Sequence, residues 1–145
     1  MVFEPKDPEY AERVRESLAR QAALETLGIV LERLEPGAVD LIFPIEPGVT
    51  QQHGFVHAGV ISTALDTACG YAALSLMAEG LEVLTVEFKV SFLAPARGDR
   101  IEARGRVIRP GRRLTFCEGA AYALEGKGET LVATMSATMM AVKAG

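Results

Sequence analysis

Residues 84–92 alternate cleanly, with Leu84, Val86, Phe88, Val90 and Phe92 on one face and Thr85, Glu87, Lys89 and Ser91 on the other. A period of two predicts a half-buried strand. Segments 100–109, 113–124 and 130–142 predict three more, separated by turns at Arg109-Pro110-Gly111 and Gly126-Lys127-Gly128. Two strands precede them, near 28–34 and 38–46, joined at Pro36-Gly37 and closed by Pro47-Gly48. Between the two groups runs the longest apolar stretch of the chain, residues 55–78, fed by a loop over 49–56. It is long enough to cross a bilayer, but Asp66 lies at its centre, Gly59 and Gly70 weaken it, and amphipathic strands follow. It therefore reads as the buried helix of a soluble fold. At the start, Asp7 and Pro8 mark an N-cap and a first helical residue, and Gly28 marks a C-terminal stop. The surface helix they frame, of about five turns, carries a thin stripe of Ala11, Val14, Leu18 and Ala22.

One long helix with two strands before it and four after it implies an α+β architecture. An antiparallel sheet of about six strands wraps around one central helix, with an extra N-terminal helix. The 145 residues are read as one domain, a helical extension over 1–27 and a core over 28–143. Six strands do not easily shield so apolar a helix on every side, so a second copy is expected to cover the remainder, as a homodimer or a dimer of dimers. A formal net charge of -4 argues against nucleic acid as the partner. The start MVFEPKDPEY has acids where a signal peptide needs a basic region and an apolar stretch, so a cytoplasmic protein with no membrane partner is expected. Cys69 and Cys117 are far apart and form no C-x-x-C pair, so they read as reduced core thiols.

Asp66 needs a separate explanation, because an isolated carboxylate within an apolar run either shifts its pKa or is used. It lies in a patterned neighbourhood: Gln51-Gln52-His53-Gly54-Phe55-Val56-His57-Ala58-Gly59, then Leu65-Asp66, and later Phe92-Leu93-Ala94-Pro95-Ala96. Together these segments resemble the signature of hotdog-fold thioesterases of the phenylacetate-degradation (PaaI-like) type. That signature runs Asn, several residues, His-Gly-Gly, then an acid seven after the first of the two glycines. His57-Ala58-Gly59 stands for His-Gly-Gly, and Asp66 has the matching spacing. The resemblance implies the hotdog fold and hydrolysis of acyl-CoA thioesters to free CoA and a carboxylic acid, without metal or bound cofactor. It further implies that Ala58 offers its backbone N–H to the thioester carbonyl, that Asp66 acts as general base or nucleophile, and that Gln51 and Thr85 assist. His57 and Gly59 would line the substrate. Two departures stand out, Gln51 in place of Asn and Ala58 in place of glycine.

Independently of the resemblance, a helix N-terminus presents unpaired N–H groups and positive potential, which suits an oxygen gaining negative charge. Ala58 and Asp66 are eight residues apart on one helix, hence about 12 Å, and cannot both touch one carbonyl carbon. If both act, they come from different subunits, and the active site lies at the interface.

Each residue also has a plainer reading. Asp66 as a structural acid would bond Ser62 or Thr63, His57 would only cap the helix, and Thr85 would simply be a strand former. His53 and His57 form an H-x3-H pair without the further ligands that zinc needs. Neither Ser62 nor Ser136 has a G-x-S-x-G setting. Seven of the fifteen basic residues, Arg97, Arg100, Arg104, Arg106, Arg109, Arg112 and Arg113, crowd into one short stretch. They form either a solvated strand face and turn or a cradle for CoA phosphates, with Arg112 and Arg113 as candidates. Two other functions remain open. One is a hydroxyacyl dehydratase or hydratase on the same fold, for which the proline-rich loop is missing. The other is a non-catalytic acyl-CoA-binding module, motivated by the departures at 51 and 58.

Overall fold

The computed structural model describes residues 2–145. Its strands β1 (Val30–Glu35), β2 (Ala38–Pro44), β3 (Leu81–Phe92), β4 (Arg100–Pro110), β5 (Leu114–Glu125) and β6 (Gly128–Lys143) form one antiparallel sheet in the order β1-β2-β4-β5-β6-β3. Strands β4 to β6 meander because short turns join them. Strands β2 and β3 lie on opposite sides of that meander, so the chain between them crosses the sheet, and the crossing segment is helix α3 (Ala58–Leu74). These are the six strands and the central helix expected from the hydrophobic pattern.

Helix α3 lies very close to the sheet. Gly105 of β4 and Gly119 of β5 are register partners beneath it. A Cβ on Gly105 would overlap the backbone of Ala68 and Cys69, and one on Gly119 would sit 3.1 Å from Leu65 Cδ2 and 3.2 Å from Cys69 Sγ. Alanines Ala103, Ala121, Ala133 and Ala137 continue this small-residue floor. As a result every residue of α3 from Thr67 to Leu74 is buried within the single chain. The expectation that six strands leave the helix partly bare therefore holds for its N-terminal half alone. Besides Ala58 and Val60 in the first turn, the residues left half-covered or exposed are Gly59, Ser62, Thr63 and Asp66, a narrow stripe at i, i+3, i+4 and i+7.

Apolar surface is instead exposed on β3, an edge strand whose Leu84, Val86, Phe88 and Phe92 are all exposed. The clean alternation expected there is broken. The register with β6 slips between Thr85 and Glu87, so Thr85 opposes the buried Met139 while Phe88 and Val90 oppose the buried Ala137 and Met135. A bulge at Val86 therefore brings Thr85 onto the same, helix-facing side as Phe88 and Val90, not the opposite one.

The N-terminal helix is also two pieces rather than one, α1 (Tyr10–Ala19) and α2 (Ala22–Leu27). The helix starts two residues later than the expected Asp7-Pro8, at Tyr10 with Glu9 at the cap position, although Asp7 Oδ1 accepts the Glu9 N–H at 2.9 Å; Gly28 ends α2 at φ 72° as expected, and Ala22 is exposed. The break at Arg20-Gln21 follows from what the segment grips. Ser17 and Gln21 both reach the Tyr71 hydroxyl at 2.8 Å. Arg13 donates to the carbonyls of Leu74, Met77 and Ala78 and pairs with Asp7 at 3.2 Å. Leu74 is the last residue of α3, and Met77 and Ala78 belong to the turn that follows it, so Arg13 clamps the exit of the helix.

Candidate active site

The loop before α3 is organised by one side chain. Gln51 Oε1 accepts the N–H groups of His53 at 2.6 Å and Phe55 at 3.2 Å, while the main chains of Gln51 and Phe55 also pair at 2.8 Å. The turn needs a left-handed residue, supplied by Gly54 at φ 84°. Val56 N–H then bonds Ala96 O at 2.9 Å, tying the loop to the segment after β3.

His57 leaves this loop in extended geometry and caps α3, its Nδ1 accepting the Gly59 N–H at 2.8 Å. In the neutral ring this leaves the proton on Nε2. The capping reading of His57 thus describes what it does in the structure. Gly59 spends its N–H on that cap and contributes room, since a Cβ would meet the ring at 3.1 Å. Val60 and Ile61 both turn their N–H groups to His57 O, at 3.0 and 3.2 Å. Among the described residues Ala58 is left as the one first-turn N–H with no acceptor. It opens into a cleft of about 550 Å³ lined by Gln51, Phe55, His57, Ile61, Phe92 and Pro95. The apolar wall of this cleft went unremarked in the sequence except through the Phe92–Ala96 motif.

Asp66 and Thr85 lie outside that cleft. The Thr85 hydroxyl donates to Asp66 Oδ1 at 2.7 Å and also lies 3.5 Å from Met139 Sδ. Ser62 and Thr63 do not bond Asp66; their hydroxyls return to the carbonyls of Ala58 and Gly59, both at 2.9 Å. Asp66 Oδ2 has no partner among the described residues. The pair is half-open to solvent along the polar stripe, so the carboxylate is not sealed in an apolar core as the run of residues around it suggests. Within one chain an open donor and an open carboxylate therefore face outward eight residues apart.

The arginine stretch does not form one patch. Arg104 is held by Glu102 at 2.9 Å and Glu129 at 2.8 Å, lies 4.1 Å over the Tyr122 ring, and has its pKa raised chiefly by the Glu102 hydrogen bond. Arg106 pairs with the buried Asp40 at 2.5 Å. Arg97 lies near the cleft, in a groove it shares with Phe55 and Pro95. Arg112 and Arg113 sit at the far end of β4, roughly 35 Å along the strand, where Arg112 borders Ala73 and Met77. Neither belongs to the Ala58 cleft of its own chain. Cys69 and Cys117 are buried and unbonded to each other. Burial raises both thiols, Cys117 to about 12, which removes them as nucleophiles. Among the described residues no helix is long and apolar enough to cross a membrane.

Comparison with known proteins supplies the identity. The sequence profile of the thioesterase superfamily matches residues 53–130, more than half of the chain. A thioesterase family protein of Silicibacter pomeroyi superposes with a TM-score of 0.91 at 53% identity, over 93% of this chain and 99% of that one. The medium/long-chain acyl-CoA thioesterase YigI of Escherichia coli is 27% identical over 129 residues, 79% of this chain and 81% of that protein. The PaaI protein of the E. coli phenylacetic acid degradation operon shares the fold, with a TM-score of 0.82 at 19% identity over 97% and 96% of the two chains. The matched region holds the Ala58 donor, the Asp66 carboxylate and its Thr85 partner, and on these grounds the chain belongs to the thioesterase superfamily, a thioester hydrolase of the hotdog fold.

Proposed function

We propose that this thioester hydrolase acts on acyl-CoA at a site shared by two subunits. The Ala58 N–H of one would bind the thioester carbonyl oxygen, and Asp66 of the other would supply the catalytic carboxylate. The observation that carries the reading is the split within one chain: an unpartnered donor in an apolar cleft, and an unpartnered carboxylate oxygen about 12 Å further along the same helix. Strand β3 supplies the means of closing the gap. It is a 12-residue edge with exposed Val86, Phe88 and Phe92, the kind of edge that pairs with another chain. Two copies joined there about a two-fold axis run their α3 helices antiparallel, and each N-terminus comes level with the other's Asp66. The YigI relative is described as acting on medium- and long-chain acyl-CoA, and the apolar cleft at Ala58 suits such a substrate.

In this mechanism the carbonyl oxygen gains charge against the Ala58 N–H at the positive end of α3. Thr85 holds Asp66 Oδ1, so Oδ2 either removes a proton from water as it attacks the carbonyl carbon or attacks that carbon itself. The C–S bond breaks, and the CoA sulfur leaves as thiolate and takes up a proton. In the second route water then hydrolyses the acyl-aspartyl anhydride. Gln51, its carbonyl committed to the loop, has its amide donors to orient substrate or water. His57 holds the first turn in register. Arg112 and Arg113 would meet the CoA phosphates only as residues of the second subunit.

Complementation between two dead variants tests the shared site. Ala58→Pro deletes the donor, yet the first turn of a helix accepts proline, and His57 at ψ 133° already has the geometry that a residue before proline adopts. Asp66→Asn removes the carboxylate. Each alone is expected to be nearly inactive. Refolded together and pairing at random, half the dimers are mixed, each with one intact site, so activity returns to about a quarter of wild type. A mixture as dead as its components, with mixed dimers confirmed by mass, rejects the shared site.

A further inference from the structure

A second cavity lies at the end of α3 remote from Ala58, about 22 Å along the helix. Its volume is about 290 Å³, and it is bounded by the N-terminal segment on one side and the β4–β5 turn on the other. The floor is apolar, from Ala73, Leu76, Met77 and Leu81. One group on its wall is polar and deeply placed. Thr115 is 3% exposed and lies opposite the buried Met139 on the helix-facing side of β5, yet its hydroxyl makes no hydrogen bond among the described residues. Of the side-chain polar atoms fully sealed from solvent, only Arg13 Nε lacks a partner there, so the Thr115 hydroxyl opens into the cavity. A hydroxyl so buried is normally satisfied, and this one is free to donate to whatever fills the space beside it.

Two cations stand at the mouth. Lys6 and Arg112 border the cavity, and neither has an ion-pair partner among the described residues; Glu4 is the one acid beside them. Asp7 is tied to Arg13, whose guanidinium also covers the carbonyls of Leu74, Met77 and Ala78 that would otherwise repel an anion at this end of the helix. An apolar floor with one buried donor and two free cations fits a carboxylate with an apolar tail. At about 30 Å³ for each water-sized group the space takes about ten non-hydrogen atoms, far fewer than an acyl-CoA has. We infer that this cavity binds a free carboxylic acid of medium chain length, the class of product released by thioester hydrolysis, away from the reacting centre. The carboxylate accepts from the Thr115 hydroxyl and pairs with Lys6 and Arg112, while the chain lies along Leu76, Met77 and Leu81. That the acid is the enzyme's own product rests on the acyl-CoA reading; the fit to a tailed carboxylate does not.

Octanoate is the probe, and the full chain is the sample. Titration calorimetry should show affinity falling about tenfold in Thr115→Val, the scale of one hydrogen bond to a charged group. Lys6→Glu should weaken binding as well and Lys6→Arg should retain it, whereas neutral octanol should not distinguish wild type from Lys6→Glu. Octanoate carrying a diazirine at its chain end should, on illumination, label residues 73–81, in Asp66→Asn and Ala58→Pro as in wild type. Lys6→Glu should leave thioester hydrolysis at the wild-type rate. If the acyl-CoA reading were wrong, acyl-CoA would go unhydrolysed while the label and the affinities stood unchanged. Label confined to residues 51–61 and 92–96 overturns the inference, as does octanoate affinity indifferent to both Thr115→Val and Lys6→Glu.

Discussion

Thr85 reaches Asp66 only because β3 bulges at Val86: the 2.7 Å bond from its hydroxyl to Oδ1 joins the edge strand to the middle of α3 across 19 residues of sequence. The hydroxyl fixes one carboxylate oxygen and leaves the other for the chemistry proposed above. Asp66→Asn, nearly isosteric but neither base nor good nucleophile, should keep fold and oligomer and lower kcat at least roughly a hundredfold. Thr85→Val should cost about tenfold, the scale of one hydrogen bond to a charged group. Steady-state hydrolysis of a panel of acyl-CoA chain lengths measures both, and near-normal turnover in Asp66→Asn would remove the residue from the mechanism.

Gln51 ties two loop N–H groups with one oxygen, so its loss loosens the wall of the cleft as well as any contact to substrate. Gln51→Ala should raise KM and lower kcat together, with total damage to kcat/KM smaller than that of Asp66→Asn. Damage at Gln51 equal to or larger than at Asp66 would reverse the assigned roles.

His57 acts on the helix start through a single cap. His57→Ala should destabilise the fold by about 1 kcal/mol, the usual cost of losing an N-cap side chain, and His57→Asn, which can accept the same N–H, should recover most of it. Urea unfolding at neutral pH reads this directly. Turnover lost in both variants with stability restored in the second would assign the imidazole a part in the chemistry.

The Cys117 thiol, pushed by burial from its ordinary 9.0 to about 12, should resist alkylation in the native protein at pH 8, and Cys69 likewise, while both react once the chain unfolds. The stability linked to Cys117 follows the same displacement. It is complete below about pH 9, where both folded and unfolded thiols are protonated, and is lost as pH rises towards 12, because the unfolded chain releases its proton first. Rapid native labelling at pH 8 would contradict the burial.

The sequence was legible where periodicity and turn residues agree. Six strands and the central helix fall within a few residues of their expected places, because Pro36-Gly37, Pro110-Gly111 and Gly126 punctuate strongly alternating segments. Asp66, Ala58 and Gln51 were singled out through the resemblance of their segments to the thioesterase signature, and the structure gives Ala58 an N–H without an acceptor and Asp66 a half-open carboxylate. Thr85 was assigned to the wrong face, since a one-residue bulge leaves no mark on an alternating pattern. The grip of Arg13 on the end of α3 was invisible for another reason. It joins residues more than 60 positions apart through main-chain carbonyls, which no residue type announces. That only the C-terminal half of the helix is fully covered was not legible, because hydrophobic patterning counts apolar side chains and not how closely glycines let two backbones approach.

The Gly105–Gly119 seat beneath α3 has a bearing on how such an enzyme diversifies. With backbone against backbone, the helix cannot sink towards the sheet, and a larger side chain at either glycine would lift Leu65 and Cys69 and drag Asp66 with them. The height of Asp66 above the sheet, and with it the reach from Thr85, is thus geared to two glycines of β4 and β5. Room for a longer or bulkier acyl group has to be found elsewhere, in the 51–57 loop and along the β3 edge. Substrate range is therefore open to change in the side chains of the cleft wall, such as Phe55 and Phe92, while the seat of the helix stays fixed.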